Sequence, residues 1–398
     1  MNPILLIQRG KEHAVRSLHP WIFSNAFHEP VTPPMPGAIV DIYSSDHKHF
    51  VARGYYNPNS SIRVRILTRH LKEEINQEFF EKKIAELKAI RERFINTRET
   101  NAYRLVYGES DELPGLIIDK YNDTYVIQLH TLGMDVMRDI IVGALRKVCD
   151  PKTIYERSDV GVRVHEGLED QPKGLLWGKK PAQEIEIKEN GVTLLVNVAD
   201  GQKTGMFLDQ RENRKALQKY VVGKRVLNCF SYTGGFSIYA ALGGASETVS
   251  VDVAGAALET AARNFEINKI PLKNHSFVDA DVFKYLEDAI AAREKFDVII
   301  LDPPAFVKNA KSMDKGMAGY VFINEKALKL LPEGGILISS SCSSHVTDEM
   351  FVKMLLRVAQ RANCMLKIIE VNHQPVDHPF NIHFPEGKYL KFYVMVKS

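Results

Sequence analysis

Cysteine is scarce in this chain: Cys149, Cys229, Cys342 and Cys364 are the four among 398 residues, and none forms a C-x-x-C pair. A disulfide scaffold and a zinc ribbon are therefore excluded. Long apolar runs are lacking too, since no stretch approaches the ~18 uncharged apolar residues that a membrane span needs. The opening residues, MNPILLIQRG, reach a charge by Arg9 and show no small-residue cleavage site, so no signal peptide is expected. Charge of one sign is also missing, with 52 basic against 49 acidic residues and a net +3. What is present is ordinary: 45% hydrophobic and 25% charged residues, the balance of a soluble globular protein. At roughly 100–200 residues per domain the length predicts two to four domains. A reduced, cytoplasmic, multidomain protein with no membrane partner is the expectation.

The small net charge conceals an uneven distribution. Residues 1–72 hold nine Lys/Arg (Arg9, Lys11, Arg16, Lys48, Arg53, Arg63, Arg65, Arg69, Lys72) against Glu12, Glu29, Asp41 and Asp46, a net +5 that leaves −2 for the remainder. Six of the thirteen histidines fall there as well. A small basic module on a near-neutral body is the layout of a protein that docks on a polyanion. On charge alone, a merely solubilising face fits equally.

The order of patterns along the chain suggests its parts. Val40–Tyr43 and Ile62–Ile66 alternate apolar with polar, as half-buried strands do, and from Glu73 to Phe94 the spacing turns helical. A boundary is placed near residue 72. Leu116–Ile118 and Val126–Leu129 read as strands, Met134–Val148 as a helix and Thr153–Glu156 as a short strand. Glycine and proline between Gly167 and Pro181 read as a loop or linker. Glu184–Lys188 and Val192–Val198 flank Asn190-Gly191, the strongest short hairpin signal. From about residue 220, apolar strands (Val226–Cys229, Thr248–Val251, Val298–Leu301, Ile336–Ser339) alternate with helical patterns, which predicts a parallel sheet covered on both faces. Leu366–Val371 and Leu390–Val396 follow with no helix between them, as an antiparallel finish would require.

Ligands of doubly wound sheets bind at the carboxyl ends of the strands. After the first strand comes Asn228-Cys229-Phe230-Ser231-Tyr232-Thr233-Gly234-Gly235, a small Gly-containing turn that lacks both G-x-G-x-x-G and G-K-[ST]. It allows close approach of a ligand without being built for phosphate. Asp252 ends the second strand, where a carboxylate accepts two ribose hydroxyls; Asp279-Ala280-Asp281 ends the next and suits an adenine amine. A nucleoside without phosphate points to S-adenosylmethionine. The plainer reading of any strand-end Asp is a helix N-cap. Asp302-Pro303-Pro304-Ala305-Phe306 follows the fourth strand, giving a stiff, donor-poor wall, a carboxylate for the polar edge of a base and Phe306 to stack on it. The fifth strand runs into Ser339-Ser340-Ser341-Cys342-Ser343-Ser344. There a thiolate meets hydroxyl and backbone donors, which makes Cys342 the candidate nucleophile, whereas Cys229 reads as packing. Gly201–Arg214 precedes the sheet, and its Gln210-Arg211 pair reads as part of a loop closing over the cofactor, with a surface salt bridge the alternative for Arg211.

The motifs GQKTGMFLDQRENR, NCFSYTGGFS, SVD at Asp252, LDPPAF and SSCSS together resemble the bacterial 23S ribosomal RNA large-subunit methyltransferase I family over nearly the whole chain. The segments HPWIFS (residues 19–24) and ARGYYNP (52–58) look like that family's PUA domain; GESDELPG (108–115) and ERSD (156–159) look like its central domain; DHP (377–379) and PEGKYLK (385–391) also match. The resemblance implies a C-terminal Rossmann-like class I methyltransferase sheet in an α/β protein, preceded by a small β-barrel PUA domain and a central α/β domain. Boundaries are expected at 1–72, 73–183 and 184–398. It implies S-adenosylmethionine held by Gln210, Arg211, Asn228, Phe230, Ser231, Tyr232, Thr233, Gly234, Asp252, Asp281 and Asp302. It implies catalysis by Cys342 and Asp302 on C5 of a cytosine, with 23S ribosomal RNA as partner and a homodimer left open. Two departures are visible: Ala305 stands where the family often has Lys, and Gly319-Tyr320-Val321-Phe322-Ile323-Asn324 replaces its usual Gly-Tyr-Lys-Asp-Ile-Asn. The rival readings are an amino-group methyltransferase, which needs no cysteine, and an RNA-binding assembly factor with a degenerate methyltransferase fold.

Overall fold

A computed structural model describes residues 2–11, 15, 17–28 and 32–398. Glu12, His13, Arg16 and Glu29, which enter the charge and histidine tallies above, lie outside the described residues. Two compact units emerge: residues 1–191, 196–208 and 376–387 form the first, and residues 192–195, 209–375 and 388–398 the second. Among the described residues no helix is long and apolar enough to cross a membrane.

The first unit contains two five-stranded sheets. One is ordered β1-β3-β4-β5-β2, from β1 (Ile4–Leu6), β2 (Trp21–Phe23), β3 (Ile39–Tyr43), β4 (Phe50–Tyr56) and β5 (Ile62–Thr68). Its core holds Val40, Ile42, Val64 and Ile66, the apolar half of the alternation expected there. The other is ordered β10-β9-β8-β7-β6, from β6 (Ala102–Tyr107), β7 (Leu116–Tyr121), β8 (Thr124–Leu129), β9 (Thr153–Arg157) and β10 (Lys173–Gly178). Tyr55 and Leu67 of β4 and β5 join Phe79, Phe80 and Ile84 in the second sheet's core, so the two sheets share one unit. Two expectations are corrected here. The stretch expected as a linker carries β10, an edge strand whose residues are mostly exposed. The single helix expected at Met134–Val148 is two, Leu132–Val136 and Arg138–Cys149, broken at Met137.

The hairpin is present as β11 (Ile185–Glu189) and β12 (Val192–Val196), with positive φ at both Asn190 (48°) and Gly191 (82°) as a primed turn requires. Beyond it, the second unit is built on a seven-stranded sheet ordered β15-β14-β13-β16-β17-β19-β18. Its members are β13 (Arg225–Cys229), β14 (Glu247–Asp252), β15 (His275–Asp279), β16 (Val298–Leu301), β17 (Ile336–Ser341), β18 (Leu366–Asn372) and β19 (Lys391–Lys397). From β15 through β17 all neighbours are parallel; β19 runs antiparallel to β17 and to β18. Leu227, Cys229, Ile299 and Leu301 pack on one face, Val226, Val298 and Ile300 on the other. Burial on both faces explains why β16 (VIIL) is an unbroken apolar run and why its neighbours carry apolar residues on both faces. The Rossmann-like α/β class is thus present, with the order reversing between β13 and β16, where such sheets place ligands.

In the first unit, Arg91 and Asp111 form a buried ion pair, and Arg91 also donates to the Arg104 carbonyl. Burial pushes the Asp111 carboxyl up, against the pull of Arg91. Arg91→Met should leave that charge unpaired and cost about 3–5 kcal/mol, read by chemical denaturation at neutral pH. The folded pKa lies above the unfolded one, so the charged carboxylate is the unfavourable form. The variant's deficit should therefore shrink as pH falls and Asp111 protonates. A deficit below 1 kcal/mol at neutral pH would contradict this.

Candidate active site

All five parallel strands present their carboxyl ends in a row within the second unit, and each is followed by polar residues. At the exit of β13 the chain turns sharply. Phe230 (φ 60°), Tyr232 (φ 48°) and Gly234 (φ 77°) all adopt left-handed backbone before the helix Gly235–Leu242 begins. Two non-Gly residues of this kind, separated by Ser231, are costly and persist only where surroundings hold them. The holding group is Asp252. Its Oδ2 accepts from the Tyr232 N–H (2.8 Å), its Oδ1 from the Ala254 N–H (3.0 Å), and its own carbonyl from the Ala280 N–H (3.0 Å). One residue thereby ties the ends of β13, β14 and β15 together.

Of the strand-end acids, Asp281 is the helix cap: it accepts from the Lys284 N–H (3.1 Å) at the start of Val282–Ala291. Asp252 is not, because Ala254 occupies the N-cap of Gly255–Ile267 and no side chain caps that helix. Asp279 approaches the same turn closely enough that a Cβ on Gly255 would fall 2.9 Å from its Oδ2.

Asn228 donates to Ser237 Oγ (3.0 Å), which pairs with Ser250 Oγ (2.6 Å). Asn228 Oδ1 and Ser231 Oγ are buried with no protein partner. Unsatisfied buried polar atoms are rare in native structures and mark places where another molecule completes the bonding. The donor set fits a nucleoside bearing positive charge: carboxylates at Asp252, Asp279, Asp281 and Asp302 repel phosphate and favour a sulfonium. Asn228, Ser231 and the Phe230–Gly234 turn therefore suit S-adenosylmethionine.

Asp302 stands at the end of β16. Gln210 Nε2 donates to Asp302 Oδ1 (2.8 Å) and to Ser340 Oγ (3.1 Å), while Asn213 Nδ2 donates to Gln210 Oε1 (2.6 Å). Gln210 is thus fastened to the Asp302 carboxylate. Arg211 is almost wholly buried and forms an ion pair with the half-exposed Glu212 (2.8 Å), so the salt-bridge alternative raised for it is present alongside its burial. The expected closing loop is corrected in part. Thr204 is buried, donating to Asp119 Oδ2 (2.6 Å) and pairing with Tyr121 OH (2.8 Å) on β7, so residues 201–208 are packed into the first unit. Asp209–Arg214 fall in the second unit.

Cys342 follows β17, and its Sγ lies 4.0 Å from the Pro303 carbonyl, next to Asp302. The neighbouring hydroxyls are largely committed elsewhere. Ser341 Oγ donates to Tyr320 OH (2.9 Å), and Ser343 Oγ pairs with the same phenol (3.0 Å). Phe306 packs among Phe230, Phe283 and Tyr320, at 4.9 Å from the Tyr320 ring, which corrects its reading as a free stacking platform. Cys229 is fully buried in the core and burial pushes its thiol far up, as a packing residue requires. Residues missed in the sequence are Asn213, Arg214, Tyr320 and Lys391. Arg214 crosses the glycine turn, where a Cβ on Gly235 would fall 2.9 Å from its Cδ.

A family model for S-adenosylmethionine-dependent methyltransferases matches residues 164–386, and one for PUA-like domains matches residues 5–69. The chain is 42% identical over 393 residues to "Ribosomal RNA large subunit methyltransferase I" of Photobacterium profundum, with 98% of each chain covered. It is 41% identical over 391 residues to the protein of that name from Aeromonas salmonicida, again covering 98% of each. The chain belongs to the ribosomal RNA large subunit methyltransferase I family. Its fold matches a protein from Streptococcus mutans assigned as a SAM-dependent methyltransferase, at TM-score 0.83 and 28% identity over 99% and 100% of the two chains. A structure solved in complex with SAH and likewise assigned as a methyltransferase matches at TM-score 0.85, also at 28% identity and the same coverage. S-adenosylmethionine is accordingly the cofactor, and the first sheet is PUA-like.

A Cβ on Gly234 would meet Ala261 Cβ at 2.8 Å in a backbone that already needs φ +77°. Gly234→Ala should therefore weaken S-adenosylhomocysteine binding at least tenfold by calorimetry while the first unit stays folded. Unchanged affinity would mean that the turn's shape is irrelevant to the cofactor.

Proposed function

We propose that the protein methylates C5 of a cytosine in 23S ribosomal RNA, in the cytoplasm, through a covalent bond between Cys342 and C6 of the ring. The observation that carries this reading is the pairing of β16 with β17, which sets Cys342 Sγ beside the Asp302-Pro303 segment. The relatives' name supplies the class of RNA. In this reading residues 1–72 dock RNA, 73–183 link and 184–398 carry the chemistry, the first two parts sharing one compact unit. Of the basic residues in the first module, Arg53 and Arg65 are buried in ion pairs with Asp41 and Glu166, whereas Arg9, Lys11, Lys48 and Lys72 are exposed to meet phosphates.

C5 of cytosine is a poor nucleophile. Addition of the Cys342 thiolate to C6 pushes an electron pair toward C5 and makes it enamine-like. Asp302, which accepts from Gln210, binds the polar edge of the base in this reading and accompanies protonation of the ring nitrogen. Bound S-adenosylmethionine supplies a methyl carbon activated by its cationic sulfur. A base then takes the C5 proton, the C–H electron pair re-forms the C5=C6 double bond, and Cys342 leaves as thiolate with the C6–S pair. The target nucleotide must be unstacked to reach the strand ends, so single-stranded or flipped-out RNA is the substrate form.

Cys342→Ala should abolish methyl transfer to RNA while calorimetric affinity for S-adenosylhomocysteine stays within twofold of wild type. RNA carrying 5-fluorocytosine should trap the wild-type protein as a denaturation-resistant adduct mapping to Cys342. Turnover by the alanine variant, with methyl found on an amino group after nucleoside digestion, would establish the rival chemistry instead. Cofactor binding without methyl transfer to any RNA would support the assembly-factor reading.

A further inference from the structure

The C-terminal strand brings a lysine into the same strand-end row. β19 pairs antiparallel with β17, and in that register Lys391 lies opposite Ser341, the residue before Cys342. Its ammonium does not reach solvent: Lys391 is 3% exposed. Nζ donates to the Ser343 carbonyl (2.6 Å) and to the Tyr389 carbonyl (2.6 Å), so it is fixed by the backbone of the residue that follows Cys342. A buried ammonium held by neutral carbonyls carries an uncompensated charge, which is costly unless an anion shares the space.

The charged and titratable groups around it are few. From the helix Asp348–Arg361 comes Asp348, whose carboxylate is engaged by Lys388 Nζ (2.9 Å) and Tyr393 OH (3.1 Å). Lys388 itself, just before β19, opposes Lys391. From the helix Met313–Leu330, Tyr320 faces Cys342, with its phenol tied to Ser341 and Ser343 and its acidity weakened by burial. From the end of β16 the Pro303 carbonyl meets the sulfur. Cys342 and Asp348 are the two groups whose negative charge favours the Lys391 ammonium.

We propose that Lys391 is a positioning residue for Cys342, a fixed counter-charge that keeps its sulfur as thiolate. The thiol proton passes to water, the ammonium keeps its three protons, and no bond forms between them. Burial pulls Lys391 down to about 8, so it is still mainly charged at neutral pH. Above that pH it loses its charge and with it the support of the thiolate. The proposal rests on Cys342 being the nucleophile, but its test does not.

The test is the pH dependence of Cys342 alkylation by iodoacetamide, without RNA, read peptide by peptide by mass spectrometry. Cys149 and Cys364, whose thiols burial pushes up, serve as internal references. The wild-type thiol should titrate at least one pH unit below the ordinary value of about 8.5. Lys391→Gln, which keeps hydrogen-bond donors but not the charge, should react about tenfold more slowly at pH 7, with the profile moved up. Lys391→Arg should stay nearer to wild type. An ordinary wild-type profile, or a Lys391→Gln profile identical to wild type, would overturn the counter-charge. Should Lys391→Gln not fold, the wild-type profile alone decides. Turnover by Cys342→Ala would remove the nucleophile reading and leave this measurement intact.

Discussion

The carboxylate of Asp252 is the constraint on which the site depends. A parallel sheet places strand ends side by side but leaves each crossover loop to its own conformation. Here both oxygens of Asp252 and its carbonyl accept backbone N–H groups from the loops after β13, β14 and β15. Hydrogen bonds to a charged acceptor contribute roughly 1.5–3 kcal/mol, enough to offset the left-handed backbone at Phe230 and Tyr232. The turn so held is where Asn228 Oδ1 and Ser231 Oγ wait unsatisfied. Each oxygen of Asp252 keeps a second lone pair, so the residue that shapes the cofactor's seat can also hold its ribose.

A second set of contacts does for the reacting side what Asp252 does for the cofactor side. Gln210 bridges Asp302 at the end of β16 and Ser340 on β17. Tyr320 ties Ser341 and Ser343 on either side of Cys342. Lys391 anchors the Ser343 carbonyl from β19. The cysteine therefore sits on a segment fixed from three directions, which suits the attack on a ring carbon proposed for it.

The strands of the second unit were legible because burial on both faces puts apolar residues on both, most plainly in the unbroken run Val298–Leu301. The same physics hid β10. An edge strand buries little, and the glycines at 174 and 178 spoke for a loop. The places of Asp252, Asp302 and Cys342 at strand ends were legible because a strand end is a sequence position. Tyr320 and Lys391 were not: they reach Cys342 only through a helix crossing and the antiparallel pairing of β19, neither of which is local in sequence. Phe306 was misjudged for a related reason, since its aromatic neighbours come from Phe230, Phe283 and Tyr320 on separate elements. Asp281 and Asp252 looked alike in sequence, and only the positions of their helix starts separate a cap from a clamp.

Calorimetric titration of S-adenosylhomocysteine into Asp252→Ala separates a clamp on the cofactor site from a bystander carboxylate. Losing one carboxylate that shapes the turn and accepts from the ribose should weaken binding by at least about 1.5–3 kcal/mol, roughly ten- to 150-fold. Wild-type affinity in a folded Asp252→Ala protein would contradict the account, because neither the turn nor the ribose would then depend on that side chain.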